Sequence, residues 1–383
     1  MLKLSDFEVD EKRGFLPAQD PLQHLPPYFQ PWESVMARLP ALLGAPDGRL
    51  RAELEQLPLL DYNRLPDEAA YNRAMLLLAM LGHAYVWYEG GPPATRIPAG
   101  LAVPWCGVAV HLARPPVLSH ASMILYNWRR LQPDGPLALN NLATLHQFYG
   151  GLDEAWFYLV TVDVEARGAP AVQCIVAAQQ AVAEAHPGEA ERQLNCLAFV
   201  LTQVQASLKR MYERCDPYIF YLRVRRFVGG WKGSQELPEG VIYEGVSQER
   251  QQFHGGSAAQ SSLFAAIDAA LGIEHLDQMS GPFLLAMRQY MPVGHRRFIQ
   301  AVADGPSIRR FVFSQEGQAS LRQAYNTCIV RIADIRQKHL QLAAEYIIAQ
   351  TKQGEYERGT GGSGIMPFLK KCREETLAAR LGE

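Results

Sequence analysis

The sequence predicts a mainly α protein with little β structure, and three observations predict it. Long stretches repeat apolar residues at steps of three and four, the period that lays one stripe along a helix. Glycine and proline gather between those stretches, above all at 90–100 and 229–255. The β-type runs are few and short. The 383 residues then divide into a smaller, mostly helical N-terminal part with little β, residues 1–148, and a larger all-α part, residues 149–383.

Taken in order, residues 1–31 are proline-rich and aperiodic and read as an extended arm over a surface. Short helical patterns follow at 32–43 and 50–57. The pattern at 68–88 is stronger, with Met75, Leu78, Leu81, Tyr85 and Tyr88 on one face. Residues 90–100 must be loop, because three glycines and three prolines cannot stay helical. The run 101–110 contains Pro104, which allows an edge strand at best. Helical patterns then succeed one another at 118–130, 137–149, 152–166, 170–186, 190–214 and 217–228. The glycine-rich run 229–255 carries a candidate hairpin at 241–244. Helices resume at 261–271, 282–291, 294–303 and 307–313, and a last one covers 367–381. No repeat of 20–50 residues is present.

The longest helical pattern, 320–350, has neither glycine nor proline. Steps of four and three pick out Leu321, Tyr325, Cys328, Ile332, Ile335, His339, Leu342 and Tyr346. His339 is the one polar member, so it faces whatever the stripe covers. Spacing leaves two readings open: a core histidine bonded to a neighbour, or a ligand to a metal or haem iron.

Composition excludes several classes. A net charge of −2 gives no field to hold nucleic acid or an anionic membrane. Six cysteines without C-x-x-C spacing point to reduced thiols in a cytoplasmic protein. The N-terminus lacks the apolar core of a signal peptide, and apolar runs such as 74–80 are too short to span a bilayer.

Candidate sites each carry a bland reading beside the chemical one. Residues 359–364 match G-x-G-x-x-G, but no strand precedes them and only residues 365–383 follow. A loop or a lid offering Thr360 and Ser363 fits better than a dinucleotide site. The small-residue stretch 254–262 offers Ser257 or Ser261 as a helix cap, or close backbone approach to a flat ligand. Arg223, Arg225 and Arg226 form a solvated face, or one of them clamps a carboxylate. Phe220 and Arg225 lie about 140° apart on an ideal helical wheel and share a face only loosely. Phe157 and Thr161, at i and i+4, line a core or a pocket.

These pieces, in this order, resemble the indoleamine 2,3-dioxygenase family of haem enzymes over nearly the whole chain. The resemblance rests on GFLP at 14–17, AYVW at 84–87, IPAGLAVPW at 97–105, GGWKG at 229–233, GGSAAQSSLF at 255–264, YMPVGHRRF at 290–298, KHLQ at 338–341 and GTGGS at 359–363. It implies that His339 is the proximal ligand and metal-binding residue of one haem b per chain. Residues 149–383 would hold that haem, and residues 1–148 would cover its distal side. Arg336 and Asp268 match a charged pair near the proximal side. Gly256, Ser257 and Ala258 would pass the haem edge, and Phe264 closes the same stretch. Phe157, Phe220 and Arg225 would line the substrate pocket, with Arg225 on the carboxylate of tryptophan and Thr360 in a covering loop. Thr161 stands where many members have serine, and His120 where some have tyrosine. The implied reaction cleaves the indole C2–C3 bond of L-tryptophan, or a related indoleamine, with O2 to give N-formylkynurenine. Iron carries that chemistry, so no protein residue is expected to be catalytic. A cytoplasmic monomer without nucleic-acid or membrane partners is expected. The alternatives are a haem monooxygenase or rearrangement enzyme acting on an indole, and a non-catalytic haem sensor.

Overall fold

The structure, a computed structural model, describes residues 2–45, 48–351 and 364–382. Among them the architecture is almost wholly helical. Three short helices, α1 (Gln30–Ala37), α2 (Leu39–Gly44) and α3 (Arg49–Glu55), pack around α4 (Glu68–Trp87). The Asp67 carboxylate caps α4 by accepting from the Ala70 N–H at 2.8 Å, which satisfies a donor the helix cannot. Nearly every residue of α4 is buried, so it is the axis of this half.

The run expected as an edge strand is instead α5 (Ala99–His111), with Pro104 inside it. Packing overrides both the proline and the β-branched residues. Trp105 packs against Gly82 of α4, where a Cβ would come within 2.2 Å of the indole. The arm at 1–31 is likewise no surface strap. Leu4, Val9 and Phe15 enter the core of the C-terminal half, and Phe29 is fully buried.

Two expected helices, 118–130 and 137–149, are not helices. A single π turn at Ala121–Leu125 leads into β2 (Trp128–Arg130), which pairs antiparallel with β3 (Leu142–Thr144). Two asparagines explain the difference. Asn127 accepts from the His146 N–H and donates to its carbonyl, and Asn141 does the same to Gln132. Such side-chain bonds offer the backbone an alternative to helix. The candidate hairpin at 241–244 is reduced to one antiparallel bridge, Val241 with Gln251, while β4 (Ile242–Tyr243) pairs in parallel with β1 (Arg96–Ile97), tying 229–255 to the loop before α5.

The C-terminal half is built on α6 (Leu152–Gly168), α7 (Pro170–Ala183) and α8 (Pro187–Lys209). The expected helix 217–228 is broken into α10 (Pro217–Ile219), a π turn at Phe220–Val224 and α11 (Arg225–Val228), after the short α9 (Met211–Arg214). Four further helices, α12 (Ser262–Leu271), α13 (Ser280–Arg288), α14 (Val293–Asp304) and α15 (Ile308–Ser314), lead to α16 (Ala319–Tyr346). At 28 residues α16 is about 42 Å long, and the predicted stripe is its buried face. It packs against α8 and against α17 (Ile365–Ala378). The apolar interior forms two large clusters, and α6 contributes to both: Trp156, Leu159 and Val162 to one, Val164 to the other.

Candidate active site

A cavity of about 720 Å³ opens between the two clusters, within the usual range for small-molecule sites. Eleven of the thirteen residues singled out by the resemblance line it: His120, Phe157, Thr161 and Phe220, then Gly256, Ser257, Ala258 and Phe264, then Asp268, Arg336 and His339. Arg225 is not among the lining residues. Its guanidinium sits 5.2 Å from the Tyr221 ring centroid. Thr360 lies outside the described residues.

His339 enters the cavity from α16 with Ile335, Leu342 and Tyr346 around it on the same stripe. Burial, aided by the charge of Arg336, pushes its pKa down to about 4, so the imidazole is neutral at neutral pH. Among the described residues no hydrogen bond engages either ring nitrogen. A core histidine would have a partner; a neutral, unpartnered imidazole on a cavity wall is what a metal ligand requires. The residues therefore fit a haem.

Beside His339 a chain of charges is anchored. The Arg336 guanidinium donates to Asp268 at 2.6 Å and to the Thr376 hydroxyl. Asp268 also meets His275 at 3.3 Å, and the other nitrogen of His275 meets Glu375 at 2.7 Å. Burial alone would lower the His275 pKa, but the Asp268 carboxylate outweighs it and carries the pKa up to about 10. His275 is thus an imidazolium bridging two carboxylates. Burial tends to raise the Asp268 pKa, yet Arg336 and His275 hold it below the usual range. The pair Arg336–Asp268 is legible as a resemblance; His275 and Glu375 are not, because 100 residues separate them.

The wall carrying His120 is held differently. His120 Nε2 lies 3.0 Å from Glu165, and its backbone N–H donates to Gln260 at 2.9 Å. Glu165 also accepts from Ser261 at 2.6 Å. The sequence points to no acid–base pair here; Glu165, from α6, is missed altogether, and Ser261, from the turn before α12, is read only as a candidate cap. Ser261 precedes α12 but makes no side-chain cap bond, since its hydroxyl is spent on Glu165. Ser257 instead caps the short turn Ala258–Gln260, accepting from the Ala259 N–H. Thr161 back-bonds to the Phe157 carbonyl at 2.9 Å and still lines the cavity.

The π turn at 220–224 corrects the helical-wheel reading of Phe220 and Arg225. The Arg225 N–H bonds the Phe220 carbonyl, an i→i+5 closure. One wide turn therefore separates the two residues, so the regular helical wheel does not apply between them, and of the two only Phe220 lines the cavity. Phe220 packs against Phe157 with centroids 4.7 Å apart and against Tyr346 at 5.8 Å. These rings join α6, the π turn and α16 into one apolar wall. At 256 the backbone runs close to that interior: a Cβ there would meet the terminal methyl of Met123 at 2.6 Å, which would have to move aside.

Comparison with known proteins places the whole chain in one family. The model of the family described as indoleamine 2,3-dioxygenase matches residues 3–379. The chain is 37% identical to human indoleamine 2,3-dioxygenase 2, over 99% of this chain and 96% of that protein. It is 36% identical to rat indoleamine 2,3-dioxygenase 1, again over 99% and 96%. It is 33% identical to a 6-hydroxytryptophan 2,3-dioxygenase of Fusarium equiseti, over 98% of each.

Proposed function

We propose a function from one premise: the chain belongs to the indoleamine 2,3-dioxygenase family. It is a haem-dependent dioxygenase that cleaves the indole C2–C3 bond of L-tryptophan, or of a related indoleamine, with O2 to give N-formylkynurenine. The observation that carries this reading is His339, neutral and without a hydrogen-bond partner among the described residues, on the wall of a cavity large enough for cofactor and substrate.

His339 is the proposed ligand of one haem b, with Gly256, Ser257, Phe264 and Arg336 as its other contacts. Bound haem supplies the activation of dioxygen and the oxygen-insertion chemistry. The chain's own work is binding, orientation and exclusion of water. The Arg336–Asp268 pair fixes the turn of α16 before His339 and so the direction of the imidazole. Phe157 and Phe220 offer an apolar slot to an indole. Arg225, one π turn beyond Phe220, pairs with the substrate carboxylate, a charge-assisted contact that fixes the ring relative to the reacting atoms. Ser257, Ala258, His120 and Thr161 shape the remaining wall, and Thr360 belongs to the covering loop. No protein residue needs to act as a general base.

The chain divides in this reading into a covering part, 1–148, and a haem-binding part, 149–383. It acts as a cytoplasmic monomer, and its six unpaired cysteines support a reducing compartment. Among the described residues no helix is long and apolar enough to cross a membrane. A second reading concerns the substrate alone. The polar His120–Glu165–Ser261 group on the cavity wall, together with a relative named for 6-hydroxytryptophan, favours an indole bearing a ring hydroxyl.

The test is an absorbance spectrum of the ferrous haem-reconstituted protein with and without L-tryptophan, followed by assay for N-formylkynurenine. A tryptophan-dependent spectral change with product is expected. Haem binding without product from tryptophan, but with turnover of a hydroxylated indole, selects the second reading. No haem binding overturns both.

A further inference from the structure

Away from the cavity, α7 and α8 form a helical hairpin that turns at Glu184–His186, with Ala185 in the left-handed region at φ 53°. Cys174 lies eleven residues before Ala185 (185 − 174) and Cys196 eleven residues after it (196 − 185). Equal arms bring the two residues level across the hairpin. Their sulfurs are 2.8 Å apart, within one ångström of a covalent S–S bond of about 2.05 Å. Both are free thiols, Cys174 buried and Cys196 exposed. The geometry therefore needs almost no movement to close, and one member of the pair meets solvent.

We propose that Cys174 and Cys196 are a modification site: a dithiol that a hydroperoxide oxidises to a reversible disulfide between α7 and α8. The atoms balance in two steps. The Cys196 thiolate attacks one peroxide oxygen; the O–O bond breaks, Cys196 becomes a sulfenic acid, and the departing alkoxide or hydroxide takes the proton that Cys196 lost. Cys174 sulfur then attacks Cys196 sulfur; the S–S bond forms, the S–O bond breaks, and hydroxide leaves with the Cys174 proton as water. The two sulfurs together lose two electrons, which the peroxide gains. The order of attack follows from exposure. Burial and the neighbouring sulfur raise the Cys174 pKa, so Cys174 resists ionising and serves as the resolving thiol.

Cys328 of α16 is the competing partner nearby, but it is fully buried and its S–H is directed to the Leu194 carbonyl at 3.1 Å. Cys106, Cys215 and Cys372 lie on other elements, each outside the α7–α8 hairpin. The pairing is thus specific to one of the many that six cysteines allow.

The full chain is treated with hydrogen peroxide, denatured, blocked with a maleimide and mapped by mass spectrometry without reductant. The free-thiol count is expected to fall from six by two. One cross-linked peptide should join Cys174 to Cys196, lighter by two hydrogens, and dithiothreitol should restore both thiols. Cys196→Ser should abolish the cross-link. Cys174→Ser should leave a dimedone-reactive sulfenic acid on Cys196, and Cys106→Ser should still lose two thiols. Separate maleimide-labelled Cys174 and Cys196 peptides after peroxide, or a cross-link through Cys328, overturn the proposal. None of these readouts depends on haem or turnover.

Discussion

The two walls of the cavity are held by opposite means. The wall carrying His339 is one face of an unbroken 28-residue helix, braced by the chain Thr376–Arg336–Asp268–His275–Glu375, whose middle three members line the cavity. The wall carrying His120 and Phe220 is assembled from two π turns, the second leading directly into Arg225, and a small-residue stretch. The first is rigid through regular geometry and ion pairs. The second takes its shape from irregular backbone and from rings that meet across elements. A site can thus hold a cofactor on its regular side and adapt to substrate on its irregular side, which is where π turns gather.

If that contrast is right, changes on the two walls should separate cofactor from substrate. His339→Ala has the largest expected effect. Haem is lost or its Soret band shifts, and turnover falls by more than the roughly 100-fold typical of a residue that only supports a ligand. Far-UV circular dichroism should not change, because no side-chain hydrogen bond to a described residue is removed. An unaltered Soret band would refute the assignment. Arg225→Ala should act on the other wall, lowering kcat/KM for tryptophan by about 10- to 150-fold, the range of one charge-assisted hydrogen bond, with the haem spectrum intact. If haem is lost as well, the two walls are not independent.

The brace offers a subtler test. Asp268→Ala strands Arg336 and His275 and should lower the melting temperature while weakening haem retention, since removing one partner of a buried pair is costly. His275 adds a pH dependence. Its folded pKa, about 10, exceeds the unfolded value of about 6.5. The stability it contributes is therefore complete below about 6.5 and is lost as pH rises toward about 10. His275→Asn should flatten the melting temperature across that window; an unchanged slope would place the loss elsewhere. Thr161→Ser should do least. The back-bond to Phe157 survives, and only a methyl leaves the cavity, so KM should shift by about fourfold, the worth of one buried carbon.

Legibility in the sequence follows the same division. The stripe on α16, the existence of α4, α6, α7 and α8 and the odd position of His339 all rest on local periodicity, which a sequence displays directly. The strands at 128–130 and 142–144 were hidden because Asn127 and Asn141 replace helical bonds with side-chain bonds to distant residues. α5 was hidden because its stability comes from packing on Gly82 and not from its own propensity. The groupings His120–Glu165–Ser261 and Asp268–His275–Glu375 join residues far apart in the chain, and no spacing rule reaches across such gaps. Family resemblance supplied most of the pocket residues, including His120; it supplied neither Glu165 nor His275.

The π turn at Phe220–Val224 has a consequence for how such a pocket diversifies. A residue gained or lost within a regular helix rotates everything downstream by about 100°. A wide turn absorbs the same change within itself, so the flanking segments keep their faces while the side chain aimed at the ligand is exchanged for its neighbour. Changes in length at 220–224 would therefore retarget the pocket without disturbing the scaffold, a route to new specificity that point substitution cannot imitate.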